Sequence, residues 1–168
     1  MWVDHRKKLL FVHVPRTGGD SICSVMGGKA GQFPKHIGRH KARLPKYFAF
    51  GFIRNPWGRL YSCYRKHAAI DERYRNISFR EFLYNTRGKG CEHSAMKLLA
   101  GCQFIGRFES LQSDWNRLQR IIGMNESVLP VTNGAGDSEY QSHYDAGMVK
   151  YVRDTCSDDI AWGGYSFG

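Results

Sequence analysis

Residues 9–21 have the sequence LLFVHVPRTGGDS, which carries the clearest indication of the fold class. Its first six residues form a largely apolar run without alternation, which is typical of a strand that is buried on both faces. The strand leads into a glycine-containing turn, after which we expect a helix that begins at Asp20 or Ser21 and ends at residues 27–28. A buried strand that passes through a tight turn into a helix is the basic unit of a parallel α/β fold.

The same unit follows twice more along the chain. Residues 47–53 form a second apolar strand, after which Asn55 is a good N-cap and Pro56 a good first residue for a helix that continues to Ala69. Residues 102–108 predict a third buried strand. This alternation predicts a three-layer α/β sandwich with a mainly parallel central sheet. Such sheets bind ligands at the carboxyl ends of their strands.

Other segments predict helices that complete a single domain over residues 1–168. Ser78 and Glu81 have the spacing of a capping box at the start of one helix. Apolar spacing predicts further helices over residues 93–100, over residues 111–122 and in the region of residues 148–156. No internal repeat or linker divides the chain of 168 residues.

The charge of the chain is concentrated in its first half. The formal net charge is +10, and residues 1–89 hold 19 Lys and Arg but only five Asp and Glu. No carboxylate lies between Asp20 and Asp71. This excess predicts an anionic partner, which can be nucleic acid, a membrane surface, an acidic polymer or a phosphorylated small molecule. The alternative is a solvated basic face without a partner. An aromatic content of 14% excludes a disordered chain.

The five cysteines include no CxxC pair, so we expect reduced, mostly buried thiols as in an intracellular protein. The apolar runs are far shorter than the ~20 residues that span a bilayer.

Two segments predict anion binding. In the turn over residues 15–21, glycines admit an anion to the backbone N–H groups, and Arg16, Thr17 and Ser21 add donors, although the Walker A pattern is absent. In the second segment Arg54 ends a strand, and Arg59 and Ser62 share one helix face, so that an arginine and a hydroxyl can hold another phosphate. The alternatives are an ordinary tight turn and a solvated basic helix start.

The segment FVHVPRTGGDSI resembles the 5′-phosphosulfate loop of sulfotransferases, and FGFIRNPWGRLYSCY resembles their 3′-phosphate motif. FIGRFESLQSDW and the C-terminal YDAGMVKYVRDTCSDDIAWGGYSF agree with the same family in the same order. The chain is most similar to the carbohydrate sulfotransferases, including bacterial and viral members. The resemblance implies a P-loop-like sulfotransferase fold and the donor 3′-phosphoadenosine 5′-phosphosulfate (PAPS). It also implies in-line transfer to a hydroxyl or amine without a metal.

Site residues follow from matching positions in these motifs. The resemblance places one set of residues at the 5′-phosphosulfate, namely Arg16, Thr17, Gly18, Gly19, Asp20 and Ser21. It places Arg54 and Ser62 at the 3′-phosphate. Arg16 stands where the family has lysine, and we expect it to stabilise the leaving phosphate. Asp20 stands where the family has Thr or Ser, and we expect it to cap its own helix.

A histidine is the expected general base, because no carboxylate is available in the basic stretch. The segment GRHKAR resembles part of the family pattern, so His40 is the first candidate, His36 the second and His93 a further one. Trp57, Tyr140 and Tyr144 are candidates for stacking on adenine.

The predicted acceptor is a glycan, and no nucleic-acid partner is expected. Because no membrane span is predicted, we expect a cytoplasmic enzyme of bacterial or viral origin. The alternative function is a basic nucleic-acid- or nucleotide-binding module without sulfuryl transfer.

Overall fold

The computed structural model describes residues 2–27, 46–85, 93–130 and 139–168. The chain forms two compact units. The sheet unit comprises Met1–Ile53 and Lys97–Asn133, and the helical unit comprises Arg54–Met96 and Gly134–Gly168.

The sheet unit contains a four-stranded sheet in the order β1-β2-β3-β4. Its strands are β1 (Trp2–Asp4), β2 (Leu9–Val12), β3 (Phe48–Ile53) and β4 (Phe104–Arg107). β2 pairs with β3 and β3 with β4 in parallel, whereas β1 pairs with β2 in antiparallel orientation. The predicted α/β class with a mainly parallel sheet is therefore confirmed. Strand β1 was not predicted, because three half-buried residues are too few for a periodic signal.

Aromatic side chains form the core on one face of this sheet. Phe11 of β2 and Phe50 of β3 are fully buried with ring centroids 5.2 Å apart. Two helices supply the opposing side chains, α1 (Gly19–Val25) and α6 (Leu111–Ile121). Leu10 and Ala49, which alternate with these aromatics, are fully buried as well. Burial on both faces explains why the strands are continuously apolar.

The helical unit packs its helices around Trp57, Phe82 and Val152. Its helices are α2 (Pro56–Ile70), α3 (Glu72–Arg75), α4 (Phe79–Asn85), α7 (Ala146–Thr155) and α8 (Ser157–Gly163). Helix α5 (Ala95–Leu99) contains the chain boundary between the two units. Short 3-10 turns cover Phe108–Ser110 and Tyr140–His143.

Two predicted helix starts are confirmed by their caps. The Asn55 side chain accepts a hydrogen bond of 3.1 Å from the N–H of Trp57 at the start of α2. The capping box before α4 is complete, since Glu81 accepts from the N–H of Ser78 at 2.8 Å and donates its own N–H to the Ser78 hydroxyl at 3.2 Å.

The predicted start of α1 at Asp20 or Ser21 is wrong, as is the expectation that Asp20 caps this helix. Helix α1 begins at Gly19, and its N-cap is Gly18 with a φ of 80°. Because glycine adopts this left-handed conformation freely, the helix starts earlier than a side-chain cap would allow. Asp20 lies instead in the first turn.

The expectation of reduced thiols is wrong at Cys63, which is disulfide-bonded. Cys23, Cys102 and Cys156 are free thiols. Burial raises the pKa of Cys23 to about 11 and that of Cys102 to about 12, so both thiols are protonated at neutral pH. Spacing along the chain, which suggested no pair, carries little information on which cysteines meet in space. Across the described ranges no helix is long and apolar enough to cross a membrane.

Candidate functional site

The loop between β2 and α1 has an unusual backbone. Arg16 has a φ of 66° and Gly18 a φ of 80°, so two left-handed residues flank Thr17. Left-handed residues that alternate with ordinary ones are the pattern of backbone concavities that bind anions through their N–H groups. A left-handed non-glycine residue costs of order 1 kcal/mol and clusters at binding sites. The strain at Arg16 therefore favours a binding role for this loop.

Two side chains of the sheet unit pack directly on the loop glycines. A Cβ atom built on Gly18 would lie 2.6 Å from Cδ2 of Leu111. A Cβ atom on Gly19 would lie within 3.0 Å of the ring atoms Cδ2 and Nε2 of His13. His13 in turn contacts the ring of Phe11, with centroids 5.8 Å apart. The His13 ring therefore leaves no room for a side chain at Gly19, whereas Gly18 is favoured by its positive φ and only secondarily by its contact with Leu111.

Hydroxyl groups of the loop are buried. Thr17 is completely buried, and its hydroxyl donates a hydrogen bond of 2.8 Å to the carbonyl of Val14. This bond closes the turn from inside, which gives Thr17 a structural role that the motif did not reveal. Ser21 is buried in the first turn of α1, and Arg16 is half-buried. Their contacts to a donor remain predictions.

In the helical unit, the Arg54 side chain lies beside Gly58 of α2, and Ser62 is one helical turn beyond Gly58. Arg54 is 6% exposed and Ser62 is completely buried. The Nε atom of Arg54 lies 3.6 Å from the position of a Cβ on Gly58, so the side chain folds back over the first turn of the helix. Gly58 and Ser62 are four residues apart and lie on one helix face. The alternative of a solvated basic helix start is wrong, because both Arg54 and Arg59 are buried.

Arg59 pairs with a carboxylate. It is completely buried, and its Nη2 donates to Oδ2 of Asp159 at 3.1 Å and to the carbonyl of His93 at 3.3 Å. Its Nε and Nη1 have no hydrogen-bond partner among the described residues. Leaving such a buried donor unsatisfied costs about 1–3 kcal/mol. Asp159 was missed at the sequence level, because 100 residues separate it from Arg59.

The three candidate adenine-stacking residues differ in their surroundings. Trp57 is 2% exposed and its indole donates to the carbonyl of Val149 at 3.2 Å. The hydroxyl of Tyr144 donates to the Trp57 carbonyl at 2.8 Å, and burial raises its pKa well above the ordinary value. These two side chains belong to the core. Tyr140 is half-buried, and two of its ring carbons lie 3.2 Å from the Cβ position of Gly58.

The two histidines predicted as general base, His40 and His36, lie outside the described residues. His93 is exposed, and its carbonyl accepts the hydrogen bond from Arg59. No group of three or more His, Cys, Asp or Glu side chains in the described ranges is arranged to hold a metal ion.

Comparison with known proteins identifies the class. The profile of the Sulfotransferase family matches residues 1–159, and the chain therefore belongs to this family of sulfuryl-group transferases. An uncharacterized protein of Archaeoglobus fulgidus is 30% identical over 101 residues, which cover 56% of this chain and 83% of the relative. No solved structure matches the chain.

Proposed function

We propose that the protein transfers a sulfuryl group from PAPS to a hydroxyl, or an amine, of an acceptor, with a carbohydrate as the acceptor class. The strained loop between β2 and α1 carries this proposal. Its left-handed residues Arg16 and Gly18 form the pattern of an anion-binding backbone, and a Cβ on Gly19 would clash with the His13 ring. Membership of the sulfotransferase family supports the same assignment.

The proposed donor would use two sets of residues of this chain. In the sheet unit, the backbone N–H groups of the loop and the Arg16 guanidinium would hold the 5′-phosphosulfate end. In the helical unit, Arg54, whose side chain folds against Gly58, and Ser62, one helical turn further along α2, would hold the 3′-phosphate. Bound PAPS supplies an activated sulfuryl group.

The remaining chemistry belongs to the protein. In the proposed step a bond forms between the acceptor oxygen and sulfur, and the bond between sulfur and the phosphate oxygen breaks. Arg16 would stabilise the negative charge that develops on the leaving phosphate. His40, or His36 in its place, would accept the proton of the acceptor hydroxyl. Positioning and charge stabilisation then account for most of the rate, as in phosphoryl transfer.

The basic residues within positions 29–46 favour an anionic or polyhydroxylated acceptor such as a glycan. The donor alone does not require all of these positive charges, which include Lys35, Arg39, Lys41 and Arg43.

The cytoplasmic location inferred from the sequence remains a proposal. The disulfide at Cys63 argues against it, because disulfides persist mainly in oxidising compartments.

A thermal-shift assay with three ligands tests the donor assignment. Adenosine 3′,5′-bisphosphate at a hundredfold excess over Kd stabilises a folded protein by about 2.7 kcal/mol. For a chain of this size, this corresponds to a rise in Tm of about 5–10 °C. We expect that rise, and a smaller or no effect of ATP and duplex DNA. A shift by DNA without a shift by the bisphosphate would support the nucleic-acid-binding alternative and contradict the proposal.

Variants assign the response to the proposed residues. We expect Arg54→Ala to lose most of the bisphosphate shift, because it removes the cation that faces the 3′-phosphate. Arg75→Ala, which removes an exposed arginine of the same unit, is the matched control and should retain the shift. His40→Ala should lower turnover while the bisphosphate affinity stays unchanged. Full activity of His40→Ala would move the base to His36, which the same measurement then tests.

A further inference from the structure

One carboxylate of the helical unit accepts hydrogen bonds from two other parts of the chain. Oδ1 of Asp159 accepts from the hydroxyl of Ser94 at 2.9 Å and from the N–H of Met96 at 3.0 Å. Its Oδ2 accepts from the N–H of Ala95 at 2.8 Å and from Nη2 of Arg59 at 3.1 Å. Asp159 is 5% exposed. Both oxygens are thus fully used, and the carboxylate is held in a single orientation.

Arg59 is fixed through this carboxylate. Its guanidinium reaches only Asp159 and the His93 carbonyl among the described residues, while Nε and Nη1 remain without a partner there. Replacement of a buried ion pair by well-packed apolar side chains is often neutral or stabilising, so stability alone does not explain this arrangement. A role in positioning explains it better.

Helix α2 is the element that the pair positions. Arg59 follows Gly58, against which the Arg54 side chain folds, and it precedes Ser62 by three residues. An anchor at Arg59 therefore fixes the rotation of the first two turns of α2 about its own axis. That rotation sets the direction in which Ser62 faces, together with the first turn of α2 against which the Arg54 side chain folds.

We propose that Asp159 is a positioning residue for the 3′-phosphate site, and that it acts through Arg59 on the part of α2 that carries Ser62 and against which the Arg54 side chain folds. This inference rests on the proposed function, since it assigns the support of a site that the donor would use. It places one determinant of donor recognition in α8, far along the chain from the motif that it serves.

The test compares two nucleotides that differ only in the 3′-phosphate. Isothermal titration gives Kd for adenosine 5′-phosphate and for adenosine 3′,5′-bisphosphate, and the first Kd divided by the second is the ratio that reports how much the 3′-phosphate strengthens binding. In Asp159→Asn the side-chain NH2 group takes the place of Oδ2 and faces the N–H of Ala95 and the Arg59 guanidinium. All three groups are hydrogen-bond donors, so these two hydrogen bonds are lost. A hydrogen bond between charged groups is worth about tenfold or more in affinity. We expect the ratio to fall by about tenfold while Kd for adenosine 5′-phosphate stays unchanged.

Asp158→Asn is the matched control, because it makes the same change at the exposed neighbour in the same helix turn. It should leave the ratio at the wild-type value. If Asp159 has only a structural role, Asp159→Asn should raise Kd for both nucleotides by the same factor, and that result would overturn the inference. So would an unchanged ratio in folded Asp159→Asn. Failure of the wild-type protein to bind the bisphosphate would instead refute the proposed function itself.

A second variant covers the case in which Asp159→Asn does not fold. Arg59→Lys keeps the positive charge beside Asp159 but cannot reach the carboxylate and the His93 carbonyl with one planar group. We expect a folded protein with a ratio reduced by at least threefold. A wild-type ratio in Arg59→Lys would contradict the proposal.

Discussion

The contact between His13 and Gly19 allows a prediction about the candidate donor loop. Gly19→Ala adds one methyl group, which would fall within 3.0 Å of two ring atoms of His13. Gly19 does not have a positive φ, so alanine meets no backbone penalty there and the effect is steric. Forcing an extra methyl group into a packed site costs about 1–3 kcal/mol. For a chain of this size, the expected fall in Tm is about 2–12 °C.

Removal of the opposing ring should relieve this clash. His13→Ala alone loses the contacts of the ring with Phe11 and Gly19, at a cost of roughly 1 kcal/mol. In the double variant the new methyl group occupies space that the ring has left. We therefore expect the double variant to be no less stable than His13→Ala, which corresponds to a coupling energy of about 1–3 kcal/mol between the two sites.

Differential scanning calorimetry of the wild type, Gly19→Ala, His13→Ala and the double variant measures this coupling energy. Titration of the same proteins with adenosine 3′,5′-bisphosphate measures how the loop changes affect ligand binding. Gly18→Ala is the control, because its methyl group meets Leu111 and not His13, and Gly18 also needs its positive φ. His13→Ala should therefore not rescue Gly18→Ala. Additive losses in the double variant of His13 and Gly19 would show that the ring does not brace the loop.

Three further perturbations test the fold. Asn55→Ala loses the cap on the Trp57 N–H and the bond of 2.8 Å to the Ser166 carbonyl, and should cost about 1–2 kcal/mol in urea denaturation. Asn55→Asp keeps the cap acceptor and should cost less. Trp115→Ala empties a completely buried site and should cost about 3–5 kcal/mol, whereas a cost near zero would contradict the described core. Hydrogen bonds from the N–H of Ser78 and, second, from its hydroxyl lower the pKa of Glu81 below the ordinary 4.5. The stabilisation that ionised Glu81 gives to the fold is therefore fully present above pH 4.5, and it is lost as the pH falls through the lowered pKa. The Tm values of wild type and Glu81→Gln should therefore differ at pH 7 and converge in acid.

The local features of the fold could be predicted from the sequence. The Asn55 cap and the capping box at Ser78 depend on residues within four positions of one another, and the buried strands show as apolar runs. The short strand β1 and the early start of α1 escaped prediction, because three residues give no period and a left-handed Gly18 replaces a side-chain cap.

The motif residues of the candidate site could be predicted from the sequence, but the residues that hold them in place could not. The sequence places Arg16 in a glycine-containing turn and Arg54 with Ser62 on one segment, because these residues are neighbours in the chain. The partner of Arg59, by contrast, lies 100 residues away, and the ring that packs on Gly19 belongs to a histidine that motif spacing treats as part of a strand. Such contacts depend on tertiary packing, which a single sequence does not encode in a local pattern.

Acceptor-dependent release of adenosine 3′,5′-bisphosphate from PAPS is the decisive assay for sulfuryl transfer by this protein. The purified protein is incubated with sulfur-labelled PAPS, with and without a mixture of glycans, and both the bisphosphate and the labelled product are measured. We expect glycans to increase bisphosphate release, the label to appear on the glycan fraction, and Arg54→Ala to lose most of both signals. A protein that binds the bisphosphate but releases none from PAPS with any glycan, lipid or small alcohol would contradict the proposed sulfuryl transfer.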